Sequence, residues 1–527
     1  MKNIEILDFG FADAQNYKRR ENKQRFNEAF IKNEYLDQLC EPGVSFLVGE
    51  KGTGKTAYAV FMANNSYKSN RSDIKYIRET EYKKFISLKE DKHLQLSDYT
   101  NVWKVIIHLL LSQKIKEAEG DSFNFRNFGK FSALTDTIDE YYYRAFSPEI
   151  VKALEFVENT KLAAELLSKH ANLKGETSES FSFSESRFQA NLFYIQKKFE
   201  DAISQIRLES NYLLFIDGID IRPSGIPYDE YLDCVKGLAN AVWEVNNDFF
   251  PTIKGGKGRC RVVLLIRPDI FESVGLQNQN AKIRDNSVFL DWKTEYIRHR
   301  TSKIFEVANN LLEIQQDDNG SGKIGDCWDS YFPWDSPNVF DDYDTPSSFI
   351  NFLRWSYYRP RDIVTLLTLL QGFTEDKNKS EFTLDDFEAK NFQRAYSNYL
   401  LGEIKDQLSF YYEESEYETF LKFFEFLRGA DKFNYAKYLS AYEATKEYLK
   451  SINKSIPKFM VTANEFLQFL YDLNVLCFIE RTQDGKPHIH WCFKERNYAN
   501  ISPKVKTDLE YQVFYGLAKS LNLGKQY

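Results

Sequence analysis

The sequence predicts an α/β fold, a parallel sheet flanked by helices and followed by a helical region with a small C-terminal β element. Three observations predict it. The apolar runs Val44–Val48, Leu213–Ile216 and Val262–Ile266 are short and nearly uninterrupted, as in strands buried on both faces. Each run ends abruptly, the first on the glycine-rich stretch Gly49–Thr56, the second on Asp217-Gly218 and the third on Arg267-Pro268-Asp269. Helical patterns lie between them, at Ala57–Ala63 and at Val102–Leu111, where Trp103, Ile106, Ile107 and Leu110 share a face.

Gly49-Glu50-Lys51-Gly52-Thr53-Gly54-Lys55-Thr56 fits G-x-x-x-x-G-K-[ST], the pattern of a phosphate-binding loop. Glycines let backbone N–H groups turn inward around an anion, and the helix that follows points its positive end at the same place. Gly49, Lys51, Gly52, Thr53, Gly54, Lys55, Thr56 and Ala57 are therefore the expected ATP contacts. Lys55 is expected on the β- and γ-phosphates, and the Thr56 hydroxyl on Mg²⁺. Asp217, a carboxylate at the end of a buried strand, is expected to organise the same Mg²⁺. Gly218 stands where a second acid commonly follows, so Asp220 is the candidate for positioning water, with Asp229 and Glu230 more remote. Arg267, at the tip of the next strand, is a candidate γ-phosphate sensor; its competing reading is a salt bridge to Asp269.

Composition sets the frame. A chain of 527 residues exceeds one ordinary core, and length alone suggests roughly three or four domains. Hydrophobic residues at 43% and charged residues at 28% describe a globular protein. The 44 Phe and 33 Tyr point to dense aromatic packing ahead of a base-stacking surface. A formal net charge of −8 argues against an overall electrostatic attraction to nucleic acid. The six cysteines are scattered with no C-x-x-C pair, against a zinc site or a disulfide framework. The N-terminus lacks the apolar core of a signal peptide and no stretch reaches membrane-span length, so the expectation is a cytoplasmic protein without a membrane partner.

In chain order, residues 1–40 read as a lead-in helix carrying Phe26, Phe30, Tyr35 and Leu36, with Lys18-Arg19-Arg20 solvated. Residues 41–314 form the core, with a helical insertion at about 113–210, helical near 148–170 and 187–207 around a Ser-rich run at 176–186, which suits a protein partner. Residues 315–348, rich in Asp, read as a linker or long surface loop. Residues 349–400 read as a helical lid. Within it Pro360 suits a first helical turn and brings Arg359 and Arg361 to an exposed helix start. Two guanidiniums there oppose the helix dipole, an arrangement that makes sense with an anion such as a phosphate between them. Residues 401–527 read as helices, then a hairpin of Val475–Arg481 and His488–Phe493, suggesting a winged helix. The helix before it, Thr462–Leu473, has no Lys or Arg, so DNA is possible but not favoured, and His488 and His490 have no evident third metal ligand.

In this order, G-x-K-G-T-G-K-T at residues 49–56, hhhhDGhD at 213–220, an hhhhR-P-D strand end at 267–269 and R-P-R-D at 359–362 resemble the STAND and AAA+ branch of P-loop ATPases. The layout is similar to the KAP and Orc/Cdc6-like groups and to bacterial stand-alone ATPases, with the motifs spread over roughly residues 40–370. The resemblance implies an AAA+/STAND-like sheet core, a lid and a winged-helix-like region. It also implies Arg267 as strand-end sensor, Arg361 as sensor 2 with Arg359 beside it, and a homo-oligomeric regulatory switch, in some members acting in phage defence. Gly218, and the lack of a glycine before the Pro-Arg pair, depart from the pattern. The expected activity is slow Mg²⁺–ATP hydrolysis; the rivals are a nucleotide-gated scaffold with negligible turnover and a DNA-transacting ATPase.

Overall fold

A computed structural model describes residues 1–77, 96–119, parts of 193–204 and 208–524, save 224, 255, 317–322, 340–342, 377, 413 and 484. The helical patterns expected at 148–170, the Ser-rich run and most of 187–207 lie outside the described residues. Two compact units emerge. A sheet unit comprises Glu34–Val48 and Tyr58–Val288; a terminal unit comprises Met1–Asn33, Gly49–Ala57 and Phe289–Tyr527.

The lead-in segment is two helices where one was expected, α1 (Arg20–Ala29) in the terminal unit and α2 (Glu34–Gln38) in the sheet unit. The break falls at Phe30, whose backbone is extended, while its ring packs edge-on against Phe26 at 5.5 Å. Lys18, Arg19 and Arg20 are exposed.

The sheet unit is built on β1 (Phe46–Val48), β2 (Asn70–Tyr76), β3 (Asn211–Asp217), β4 (Cys260–Ile266) and β5 (Ser287–Phe289), parallel throughout, in the order β2-β3-β4-β1-β5. The near-continuous apolar runs are buried along their length, as strands covered on both faces require. Register aligns the C-terminal ends along one edge: Val48 pairs with Ile266, Ile216 with Leu264 and Tyr76 with Asp217. The strand carrying Arg267 thus lies between β1 and the strand carrying Asp217.

Helix α3 (Lys55–Asn64) follows β1, and α4 (Leu96–Glu119) contains the expected amphipathic stretch. Against α4 packs α5 (Tyr228–Glu244), closely enough that a Cβ on Gly237 would come within 2.5 Å of the Tyr99 Cβ. Trp103 reaches across to donate its indole N–H to the Cys234 carbonyl at 3.2 Å. Burying a large apolar side chain such as Val102, Ile106 or Ile107 contributes about 1.5–3 kcal/mol. Short helices α6 (Pro268–Val274) and α7 (Gln279–Asp285) follow β4.

The terminal unit gathers α8 (Lys303–Glu313), α9 (Asp326–Tyr331), α10 (Phe349–Trp355), α11 (Pro360–Phe373), α12 (Leu384–Glu388) and α13 (Lys390–Tyr411). After them come α14 (Glu414–Phe426), α15 (Tyr435–Ser451) and α16 (Ala463–Asp472), the last opened by a capping box of Thr462 and Glu465. A four-stranded antiparallel sheet closes the unit: β6 (Lys432–Asn434), β7 (Leu476–Arg481), β8 (Pro487–His490) and β9 (Glu510–Val513), in the order β6-β9-β7-β8. The expected hairpin is β7–β8, but its second strand stops at His490 because Cys492–Glu495 coils into a helical turn. Strands β6 and β9, short and far apart in sequence, were not expected.

The acid-rich stretch 315–348 is not simply a linker. Trp328, Tyr331 and Phe332 are buried, with Trp328 stacked on Phe332 at 4.4 Å and edge-on to Phe349 and Phe352. Burial of these rings outweighs the count of nearby acids. Asp329 turns outward onto Arg300, at 2.6 and 2.5 Å. No helix among the described residues is long and apolar enough to cross a membrane.

Candidate functional site

The Gly49–Thr56 loop leaves the C-terminal end of β1 and runs straight into α3. Gly52 and Gly54 take φ +88° and +95°, a conformation that side chains with a Cβ rarely adopt. Around them the loop folds on itself. The Lys55 ammonium donates to the carbonyls of Gly49 at 2.8 Å and Glu50 at 3.2 Å, and the Thr53 hydroxyl donates to Glu50 O at 2.8 Å. The Trp292 indole N–H holds the Thr53 carbonyl at 2.9 Å. A Cβ on Gly49 would collide with the Thr53 hydroxyl, which accounts for the first glycine. Thr56 and Ala57 lie in the first turn of α3, where backbone N–H groups have no intrahelical partner.

Side chains from α11, α13 and the C-terminal segment surround this loop within the terminal unit. Pro360 does begin α11, but Arg359 before it is not exposed. It is 7% accessible, and its Nε and Nη2 donate to the Asp362 carboxylate at 2.9 and 2.7 Å. Its third nitrogen, Nη1, donates to the Lys51 carbonyl at 2.8 Å. The anion beside Arg359 is therefore the protein's own Asp362, which also accepts from the Tyr357 N–H and the Tyr399 hydroxyl. Burial works to lower the Arg359 pKa, but the charge and hydrogen bonds of Asp362, with Tyr399 and Glu403 nearby, together outweigh it and hold the guanidinium firmly protonated.

Arg361 donates its backbone N–H to Gly52 O at 3.3 Å, Nε to Ala12 O at 3.2 Å and Nη1 to Glu403 at 3.3 Å. Glu403 also faces the Lys51 ammonium at 3.4 Å, and Lys51 pairs with Asp406 at 2.7 Å. Burial acts to raise the Glu403 pKa, but the charges of Lys51, Arg359 and Arg361 outweigh it and leave it below the ordinary value. On the loop's other flank Glu50 pairs with the buried Arg496, whose carbonyl accepts from Lys293 at 2.8 Å.

In the sheet unit, Asp217 ends β3 with 8% exposure, and its Oδ1 accepts the Gly218 N–H at 2.8 Å. Gly218 has φ +94°, and a Cβ there would overlap the Ile77 carbonyl oxygen. That is the physical reason no acid follows Asp217: the chain passes too close to Ile77 for any side chain. Asp220 lies in the turn beyond, which the Tyr231 hydroxyl pins by donating toward Ile219 O at 2.9 Å and Ile221 O at 3.1 Å. Arg267, 1% exposed, donates Nε to Asp269 at 3.0 Å and pairs with it again through Nη2, as the salt-bridge reading expected.

Asp217 and Arg267 share one sheet edge with the end of β1, from which the glycine loop departs. The loop, Arg359 and Arg361 fall in the terminal unit, and Asp217, Asp220 and Arg267 in the sheet unit. Sequence reasoning missed Asp362, Glu403, Asp406 and Arg496. Asp362 carried a signal, three residues after Arg359 on a helix face; the others carried none.

A scan against family models matches none to this chain, and a search of curated proteins gives no match.

Proposed function

We propose that the protein is a P-loop ATPase of the STAND/AAA+ kind, a Mg²⁺–ATP-dependent switch with slow turnover. One observation carries the reading. Between a buried parallel strand and a helix, two left-handed glycines shape a loop around a lysine whose ammonium rests on the loop's own carbonyls. Phosphate oxygens replace those carbonyls as the partners of Lys55 when ATP binds, and the N–H groups of residues 49–57 line the anion.

Thr56 and Asp217 would hold Mg²⁺. A hydroxyl and a single carboxylate are hard oxygen donors that suit an ion completing its shell with phosphates and water, and among the described residues no group of three acids, His or Cys offers another site. The ion, when bound, offsets charge on the β- and γ-phosphates. Asp220 positions water and Arg361 responds to the γ-phosphate; Arg267 would act as a sensor only on leaving Asp269, which holds it through two nitrogens. Slow turnover follows from Gly218, since its place cannot accept the second acid. The same observation favours a second reading, a nucleotide-gated scaffold with negligible hydrolysis.

On the resemblance, residues 349–400 act as a lid, 401–527 as a winged-helix-like region, and the chain assembles as a homo-oligomer in the cytoplasm, receiving a protein partner through 113–210 and serving in antiviral defence. The test is ATP affinity and turnover with Mg²⁺, with and without DNA, while mass in solution is followed. Lys55→Ala is expected to weaken ATP binding at least about 100-fold, roughly the loss of a charge-assisted contact to phosphate; unchanged affinity would refute the site. Assembly on ATP with almost no turnover selects the scaffold, and turnover raised by DNA selects the nucleic-acid ATPase.

A further inference from the structure

We propose that Glu403 is a built-in competitor of the nucleotide's terminal phosphate for Arg361, and so sets how strongly the protein prefers ATP to ADP. The inference rests on the reading of residues 49–57 as a nucleotide site.

The two arginines beside the loop differ in what they are able to release. All three nitrogens of Arg359 are engaged, two of them by Asp362, which is 0% exposed. Pulling Arg359 away would strand a buried carboxylate, and such a loss is severe. Arg361 is held differently. Its side chain is 26% exposed, meets the Glu403 carboxylate through a single nitrogen at 3.3 Å and donates Nε to the Ala12 carbonyl at 3.2 Å, while its Cβ lies against Gly52 of the loop. A partly solvated single-point ion pair exchanges at little expense. Arg361 is therefore the exchangeable cation and Arg359 the fixed one.

Glu403 is placed to compete. It projects from α13, 13% exposed, and divides one negative charge between Lys51 and Arg361. A γ-phosphate brings more negative charge and three acceptor oxygens to a guanidinium that prefers two-point contact. Once Arg361 turns to the phosphate, Glu403 keeps Lys51, which Asp406 also holds. ADP lacks the group that displaces Glu403, so the carboxylate opposes only the triphosphate. Arg361→Gln removes the object of the competition, and Glu403→Gln removes the competitor while keeping its shape.

The experiment is calorimetric titration of the full chain with ATP and with ADP, in the presence of Mg²⁺, for the parent, Glu403→Gln, Arg361→Gln and the double variant. Glu403→Gln is expected to tighten ATP about tenfold, the scale of one charge-assisted contact freed, and to change ADP less than about twofold. Arg361→Gln lowers the ATP-to-ADP preference, and in the double variant the Glu403→Gln gain disappears. Equal tightening of both nucleotides, weaker ATP binding by Glu403→Gln, or a gain that survives in the double variant would each overturn the role of Glu403 alone. Absence of binding of either nucleotide to the parent chain would overturn the nucleotide reading, and this inference with it. Should Glu403→Gln fold poorly, an Arg361→Gln chain that keeps the parental preference overturns the proposal by itself.

Discussion

The strand tips that carry Asp217 and Arg267 and the glycine loop at 49–56 are held in place by opposite means. At the tips the contacts run to neighbours in the chain or in the sheet: the Gly218 N–H donates to Asp217, Asp269 holds Arg267, and the Ile77 N–H donates to the Asp217 carbonyl. The loop is held from afar. Lys51 pairs with Asp406, 355 residues on, Glu50 with Arg496, 446 residues on, and Arg359 reaches the Lys51 carbonyl across 308 residues. The tips are the ends of buried parallel strands. The loop is adjustable, because distant substitutions reach it through charges.

The largest expected effect tests the fixed side of the loop's support. Asp362→Ala leaves Arg359 buried without its carboxylate and should cost about 3–5 kcal/mol in urea denaturation. A loss under about 1 kcal/mol would mean that the loop is not anchored through this pair.

Next comes the strand tip. Gly218→Ala sets a Cβ against the Ile77 carbonyl at φ +94° and should cost about 3 kcal/mol by the same measurement. A neutral result would show that the tip yields, and would reopen the position to an acid.

The smallest effect sharpens the contrast with a charge held by rings instead of carboxylates. Lys494 lies over Tyr358 at 4.8 Å and Tyr296 at 5.5 Å, and burial pushes its pKa down from 10.5 to about 8. Below pH 8 it is charged in both folded and unfolded chains, so the burial penalty is fully present. Between pH 8 and 10.5 the folded chain has lost the proton and the unfolded chain keeps it, so the penalty fades as pH rises. Lys494→Met should therefore stabilise the protein at pH 7 by about 1–2 kcal/mol, allowing for remaining solvent contact and the lost ring interaction. Denaturation at pH 10.5 should show that gain gone; a gain equal at both pH values would place its origin in packing.

Much of the candidate site was legible because its elements depend on neighbours in sequence. Glycines at 52 and 54, a lysine and threonine after them, an acid ending one apolar strand and an arginine ending another are all local patterns. Other features were set by competition that local patterns do not weigh. Residues 326–332 looked like part of an acidic linker because aspartates were counted, while Trp328, Tyr331 and Phe332 buried themselves. Arg359 looked like one of a pair awaiting an anion, yet Asp362, only three residues later, had already taken it.

By itself the sequence determined the parallel-strand core, the shape of the glycine loop and the glycine after Asp217, because backbone conformation and burial pattern act over a few residues. Tertiary structure alone decided the order in which the strands pair, the joining of β6 and β9 to the C-terminal hairpin, and the choice of Glu403, Asp406 and Arg496 as partners of the loop. The reason is physical: an ion pair depends on distance in space, and a helix face 350 residues away leaves no periodic mark on the loop it will hold.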